Sequence, residues 1–194
     1  AYYTDNSGAD EQPILRTSGL LSRSNKVMYD LVTKSVFDTF TGDAISGPLK
    51  DAEIALEETT LVRSTWGEWK EAYPDTRIIA EDGGVDRSYP LDPLDGRDDG
   101  GPIFAIGDAD GRLDVQELVV GVITEDGTPV AFPSAQASSI LVKGGEVELA
   151  GVRLEAVGDG LRAVDSVTGD EIAAHEAFWF AWSQFHPETE LFVR

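Results

Sequence analysis

The chain has no cysteine, one methionine and only two histidines among its 194 residues. Without cysteine, thiol nucleophiles, disulfide bonds and cysteine metal sites are excluded from this chain. It also lacks a Gly-x-Ser-x-Gly elbow and a P-loop, so two frequent catalytic frameworks are missing. No apolar run approaches the roughly 20 residues of a membrane span, and no signal peptide is visible. The chain opens on Ala1 rather than methionine, which predicts a processed or trimmed product.

Positive charge is scarce as well. The sequence has 36 Asp and Glu residues against 15 Lys and Arg, which gives a formal net charge of −21 and a pI near 4.2. Such a charge repels phosphate backbones and anionic lipids, so we predict neither a nucleic-acid partner nor an anionic membrane partner. The acids are spread along the chain, and arginines outnumber lysines ten to five. This composition favours a halophilic protein with an acidic surface, since counterions screen the self-repulsion; an ordinary acidic secreted protein is the alternative.

The four tryptophans all lie in two similar phrases, "TWGEWKEAYPDT" (65–76) and "FWFAWSQFHPET" (178–189). A constant offset of 113 positions pairs their shared residues, which are Trp66 with Trp179, Trp69 with Trp182, Pro74 with Pro187 and Thr76 with Thr189. Chance is a weak explanation for this agreement, so we interpret the phrases as duplicated structural positions.

Each phrase predicts a short helix followed by a strand. The aromatic residues recur at helical spacing on one face, and a proline ends each helix. In the first phrase, Thr65 precedes Glu68 by three positions, which is the signature of a capping box. Duplicated positions usually preserve packing, so the tryptophans are predicted to be core residues rather than the walls of a ligand groove. His186 takes the place of Tyr73 and is predicted to pack as a ring rather than bind a metal.

The remaining pattern predicts a β-rich α+β fold in one domain, 1–194. The phrases "YDLVTK" and "VDSVTG" give a second, weaker echo between Asp30 and Asp165. We therefore predict two related β-meander units, approximately 18–80 and 146–194, each with a short Trp-bearing helix and related by a pseudo-two-fold internal duplication. A loop-plus-hairpin segment, 81–145, joins them, with a tight turn at Asp126-Gly127.

One acidic stretch invites a metal interpretation. In "GDADGRLDVQEL" the spacing of four carboxylates around Gly111 resembles a calcium loop, with Asp108, Asp110, Asp114 and Glu117 as the candidate ligands. However, Ile106 stands at the first ligand position and cannot coordinate a cation. The missing ligand weakens the calcium interpretation, and an acidic turn that leads into the next strand is the alternative. Calcium is the one cofactor that the sequence suggests.

Several phrases together resemble a known family. They are "SGLLSRSNKVMYDLVTKSVFDTFTGDAISGPL", "TWGEWKEAYPDTRII", "DRSY", "DADGRLDVQELVVGV" and "FWFAWSQFHPET". Their content and order resemble the domain of unknown function 3179 family over nearly the whole chain. The family has no assigned activity, and its members look like exported envelope proteins, so the resemblance implies an extracytoplasmic or cell-envelope location.

The resemblance has two departures. Relatives usually carry a Cys-Pro-x-Cys-like segment before the equivalent of "AYYTD", and they often have arginine where this chain has Leu31. The family also places an Asp-x-Arg-Leu phrase at Asp110, Arg112 and Leu113, which favours the structural interpretation of the acidic turn.

Two classes of function remain open. The first is an extracytoplasmic module that binds a small ligand or another envelope protein without catalysis. The second is a metal-dependent or carboxylate-based enzyme with a pocket around four polar residues of the family-like phrases, namely Asp30, Arg87, Asp110 and Arg112. A converging cluster with perturbed ionisation favours the enzyme, and dispersed positions favour the binding module.

Overall fold

The computed structural model describes residues 2–3, 9, 11–78, 91, 105–107 and 110–193. Within them the chain is β-rich with four short helices, an α+β architecture as predicted. In chain order the elements are β1 (Tyr2–Tyr3), β2 (Leu15–Ser22), β3 (Asn25–Asp30), β4 (Val36–Asp38), β5 (Ala44–Ser46), α1 (Pro48–Asp51), β6 (Glu57–Glu58), α2 (Trp66–Ala72), β7 (Leu118–Ile123), β8 (Pro129–Pro133), α3 (Ser134–Val142), β9 (Glu148–Leu149), β10 (Val152–Val157), β11 (Gly160–Asp165), β12 (Glu171–Ile172), β13 (Ala174–Phe178), α4 (Trp179–Phe185) and β14 (Glu190–Leu191).

Two four-stranded antiparallel meanders occur among the described residues. Strands β2 to β5 form the first, and β9 to β12 form the second, each with neighbours in chain order. The alternation of apolar and polar residues in "VRLEAV" places Val152 and Leu154 in the core, as period-two burial requires, and Val157 at the end of the strand is buried outside that alternation. A meander is thus present in each half, as predicted; the division into units 18–80 and 146–194 stays a prediction.

A third sheet combines two strands that lie between the meanders in sequence with two that follow the second meander, and it contributes to the two largest hydrophobic clusters. Its order is β13-β7-β8-β14, with β14 parallel to β8 and the other pairs antiparallel. The β7–β8 hairpin turns at Asp126-Gly127, as the sequence predicted, and Gly127 supplies a φ of 84°. The largest hydrophobic cluster joins this sheet to the second meander through residues such as Phe132 and Leu154.

Three hairpin loops share one six-residue design that begins with aspartate. They are Asp30–Ser35, Asp38–Asp43 and Asp165–Asp170, with the sequences DLVTKS, DTFTGD and DSVTGD. In each loop the first N–H donates to the sixth carbonyl, at 2.8, 2.9 and 2.8 Å, and the fifth N–H donates to the first carbonyl. The fifth residue has positive φ in every case (62°, 81° and 78°), which favours glycine. The threonine hydroxyl accepts from the sixth N–H, so side chains complete the loop.

Helices α2 and α4, which carry the tryptophan phrases, have the same local geometry. The residues that precede them, Thr65 and Phe178, have nearly equal torsions (φ −66°, ψ 150° and φ −69°, ψ 146°), and so do the residues that follow. The Trp69 indole donates to Thr76 Oγ1 at 3.0 Å, and the Trp182 indole donates to Thr189 Oγ1 at 2.8 Å. The Thr65 side chain accepts from the Glu68 N–H, which confirms that part of the predicted capping box.

The two helices differ in how deeply their side chains are buried. Trp179 and Trp182 are fully buried, and a Cβ placed on Gly121 would lie 2.3 Å from the Trp182 ring, so the indole occupies the space that glycine leaves on β7. No residue of α2 is buried, and Trp66 is 48% exposed. The prediction that the tryptophans are core residues is therefore right for α4 and wrong for α2. The central sheet, β13-β7-β8-β14, packs against α4, and in the described part of the chain it makes no comparable contact with α2.

Candidate functional site

Asp30, one of the predicted binding residues, organises its own turn. Its side chain is buried, and its carboxylate accepts hydrogen bonds from the N–H groups of Ile14, Val32 and Thr33 and from the Thr33 hydroxyl. Burial raises the pKa of this carboxyl, but the hydrogen bonds outweigh burial and hold it below its ordinary value of 3.8. Asp30 is therefore ionised at neutral pH and occupied by four donors. A cavity of about 370 Å³ lies beside it, lined also by Thr33 and Leu49.

Asp110 and Arg112 lie together, as the shared phrase suggested, and they form a closed pair. One carboxylate oxygen of Asp110 accepts from the Arg112 backbone N–H at 2.8 Å, and the other accepts from Arg112 Nε at 2.8 Å and pairs with Nη2 at 2.7 Å. The Arg112 guanidinium is the main cause that holds the pKa of Asp110 below its ordinary value. A carboxylate with this geometry is not available as a base near neutral pH.

The same turn covers the first tryptophan of α4. The Trp179 indole donates to the Asp110 carbonyl at 2.8 Å, and the Arg112 guanidinium carbon lies 5.1 Å from the centre of the Trp179 ring. Arg112 Nη1 also donates to the Thr189 carbonyl at 2.7 Å, beyond the C-terminal end of α4. We call residues 110–117 the clamp segment, because Glu117 and Val115 additionally accept from the first N–H groups of α4. The Asp-x-Arg-Leu phrase thus fixes a helix.

The predicted four-residue pocket is only partly described. Arg87 lies outside the described residues, and Asp30 and Asp110 share no hydrogen-bond partner among the contacts described. Asp108 of the calcium hypothesis lies outside as well. Of its other members, Asp110 is engaged by Arg112, and the Asp114 carbonyl accepts from the Glu117 N–H at 2.9 Å. Within the described part of the chain, no group of three or more His, Asp or Glu side chains could hold a metal ion.

A second polar cluster forms where sequence reasoning proposed no site. His175 on β13 contacts the carboxylate of Glu58 on β6 through Nε2, although the two residues are 117 positions apart in the chain. Phe40 packs beside it, with ring centres 5.1 Å from His175 and 6.1 Å from Trp182. The His186 ring lies 4.4 Å from the Trp182 ring and 6.1 Å from Phe40, as Tyr73 lies 4.5 Å from Trp69. The ring position predicted for His186 is therefore confirmed.

The electrostatic setting of His186 disfavours its protonated form. Burial is the first cause that lowers its pKa from 6.5, and the nearby charges of His175 and Arg23 act in the same direction, while Glu58 opposes them. No signal in the sequence joins Glu58 to His175, because strand pairing and sheet packing set their approach. The Thr189 hydroxyl, which accepts from the Trp182 indole, donates to the backbone carbonyl of His186 at 2.6 Å.

An open groove of about 610 Å³ is lined by acidic residues of the β7–β8 turn and of the second meander. It is lined by Glu125, Asp126, Asp165, Asp170 and Glu171 together with neutral residues. Two of these carboxylates serve their own turns: Asp126 accepts from Thr124 and Thr128, and Asp165 accepts from Val167 and Thr168. These hydrogen bonds lower the pKa of both carboxyls. Two of the five acids that line the groove are therefore turn-forming residues.

The described residues contain no helix long and apolar enough to cross a membrane. No curated protein and no solved structure matches the chain. A family model does match, over residues 1–169 of 194, and its description is Protein of unknown function (DUF3179). The matched range includes the Asp30 loop, α2 and the clamp segment, and it ends before α4. The chain therefore belongs to the DUF3179 family of proteins of unknown function.

Proposed function

We propose that this protein is a non-catalytic binding module of the cell envelope or extracellular space, adapted to high salt, with another protein as its partner. The observation that carries the proposal is that internal hydrogen bonds already engage the carboxylates of the two described candidate acids. Asp30 is filled by four donors, and Asp110 is paired with Arg112. Both have pKa values below the ordinary carboxyl value, so neither is poised for proton transfer near neutral pH.

The acidic composition supports the salt-adapted part of the proposal. A net charge of −21 destabilises a compact chain through self-repulsion, and high ionic strength screens that repulsion. Several aspartates also stabilise turns in their ionised form, so the acids contribute locally to the fold as well as to the surface. We expect the melting temperature to rise markedly from low to molar potassium chloride. Equal melting temperatures would contradict the halophilic assignment.

The internal duplication is part of the same proposal. Nearly equal cap torsions and matching Trp-to-Thr hydrogen bonds support an origin from one repeated unit. Arg63 and Glu176, which are 113 positions apart, pair at 3.1 Å, as residues beside a pseudo-two-fold axis would. Superposing 65–76 on 178–189 and extending the fit to the meanders tests this, and meanders that then diverge would contradict it.

The ionisation of Asp110 tests the non-catalytic assignment most sharply. A carbon-detected NMR titration of the aspartate carboxyls gives each pKa in the folded protein. We expect Asp110 and Asp30 to titrate below 3.8 and Arg112→Lys to raise the value for Asp110, since lysine cannot reproduce the forked contact. An Asp110 carboxyl that titrates near neutrality would favour acid–base chemistry and the enzyme alternative.

A further inference from the structure

The exposed face of α2 displays large aromatic residues that its buried counterpart conceals. Trp66 is 48% exposed and Tyr73 is 39% exposed, whereas Trp179, at the position equivalent to Trp66, is fully buried. The helix is anchored at its N-terminal end, where Asp159 accepts from the Ser64 hydroxyl and from the Thr65 N–H at 2.8 Å. Exposed aromatic side chains on an anchored helix are typical of a docking surface.

The clamp segment shows what such a surface accepts. On α4, three groups receive the turn at Asp110–Arg112: the Trp179 indole N–H, the Trp179 ring face and the Thr189 carbonyl. Around α2 the equivalent groups are the indole N–H and ring of Trp66 and the carbonyl of Thr76. Thr76 holds the Trp69 indole through its hydroxyl, as Thr189 holds Trp182, but it is exposed where Thr189 is buried. Among the described residues, none donates to the Thr76 carbonyl.

Charge indicates the sign of the occupant. The chain has a net charge of −21, which favours a cationic over an acidic segment at close range, where screening by salt is weakest. A guanidinium combines positive charge with a flat face that stacks on indole and with N–H groups directed at a carbonyl, as Arg112 demonstrates on Trp179. Arg112 of a second copy is already engaged by its own Asp110 and Trp179, so the clamp of another copy of this chain is not the best occupant.

We propose that Trp66 and the Thr76 carbonyl form a docking site for an arginine-bearing turn of a partner protein, which covers α2 as Arg112 covers α4. This inference rests on the proposed binding function and adds the site and the partner's chemistry. The partner's arginine stacks on the Trp66 ring and donates to Thr76, while a backbone carbonyl of the same turn accepts from the Trp66 indole. Cation–π contact and carbonyl contact together give selectivity for arginine over lysine.

The four indole N–H signals of one nitrogen–proton spectrum provide the test. The probe is the capped tetrapeptide Asp-Gly-Arg-Leu, which copies residues 110–113 and has no net charge, and the control peptide has glutamine in place of arginine. We expect a saturable shift of the Trp66 signal with the arginine peptide only. The Trp179 signal should not move, since its site is filled. Trp66→Ala should weaken binding at least tenfold, and because Trp66 is half exposed, the variant should stay folded.

Three outcomes would overturn the proposal. They are an unmoved Trp66 signal, an equal shift with the glutamine peptide, and a concentration-dependent dimer that Trp66→Ala abolishes, which would assign the site to a second copy. These failures are distinguishable from failure of the proposed function. If the peptide fails while Asp110 titrates below 3.8, the docking site is wrong and the binding module stands. If Asp110 titrates near neutrality, the non-catalytic assignment is wrong whatever the peptide does.

Discussion

Helices α2 and α4 show that one short sequence design can serve two different purposes. Both helices begin after an extended residue, end before a proline and direct an indole N–H to a threonine seven positions later. Yet α4 is built into the core, and α2 has no buried residue. Local hydrogen bonds therefore determine the shape of the helix, and the neighbouring segments determine its use. The central sheet and the clamp segment make α4 structural, and their absence around α2 leaves an aromatic surface.

The largest expected difference concerns the second tryptophan of each helix. Trp182→Ala should lower the free energy of unfolding by about 3–5 kcal/mol, because it empties a fully buried site and leaves the Thr189 hydroxyl without its donor. Trp69→Ala, at the equivalent position, should cost about 1 kcal/mol, the usual size of a substitution outside the core. Denaturant unfolding in molar potassium chloride measures both. Equal losses would show that α2 is as integral as α4.

Two glycines sharpen the same contrast by adding one methyl group. Gly121→Ala forces a Cβ against the buried Trp182 ring and should cost about 1–3 kcal/mol, since a packed core resists extra volume. Gly67→Ala lies in α2 with open space around it and should stabilise the protein by about 0.5–1 kcal/mol through helix propensity. Melting temperatures of the two variants should move in opposite directions. A fall in both would indicate that α2 is covered.

Arginines near each helix give a smaller contrast. Arg112→Ala removes the pair with Asp110, the bond to the Thr189 carbonyl and the stack on Trp179, and should cost about 1–3 kcal/mol. Arg63→Ala, before α2, removes an ion pair from a side chain that is 68% exposed, and should cost less than about 0.5 kcal/mol. Unfolding in urea measures both losses. A larger loss for Arg63→Ala than for Arg112→Ala would contradict the assignment of α4 to the core and of α2 to the surface.

The smallest effect concerns the rings that follow the helices, His186 and Tyr73. Because burial lowers the pKa of His186, the unfolded chain binds its proton more tightly than the folded protein does. The free energy of unfolding should therefore fall as the pH drops through 6.5. His186→Tyr, which copies α2, should reduce that fall. Urea unfolding from about pH 8 to about pH 5 measures the slope. An unchanged slope in the variant would assign the pH dependence to other groups.

Much of the local structure was readable from the sequence. Hairpin chemistry at Asp126-Gly127 and the cap at Thr65 are set by residues within a few positions, and the structure has both. The echo between Asp30 and Asp165 identifies two loops of one design, but the third, Asp38–Asp43, was missed although its pattern of Asp, Thr and Gly is visible. Helix α3 was also missed, because "SAQASSILV" mixes small and apolar residues without a clear helical stripe.

The rest depends on distant partners. Arg112 reaches the Thr189 carbonyl across 77 positions, and His175 meets Glu58 across 117, so no local pattern reports either contact. The family-like polar residues suggested a pocket, but hydrogen bonds inside turns use the carboxylates of Asp30 and Asp110. The exposure of Trp66 was unpredictable for the same reason: the indole has the sequence context of Trp179, and among the described residues the clamp segment contacts Trp179 alone.

Hydrogen exchange of the four indole N–H groups tests the contrast between α2 and α4 most directly. One spectrum followed in heavy water resolves all four, and single Trp→Phe variants assign them. We predict that Trp66 exchanges first and Trp69 next, while Trp179 and Trp182, buried and bonded to Asp110 and Thr189, exchange only with near-global unfolding. Protection of Trp66 equal to that of Trp179 would contradict the account, since both helices would then belong to the core.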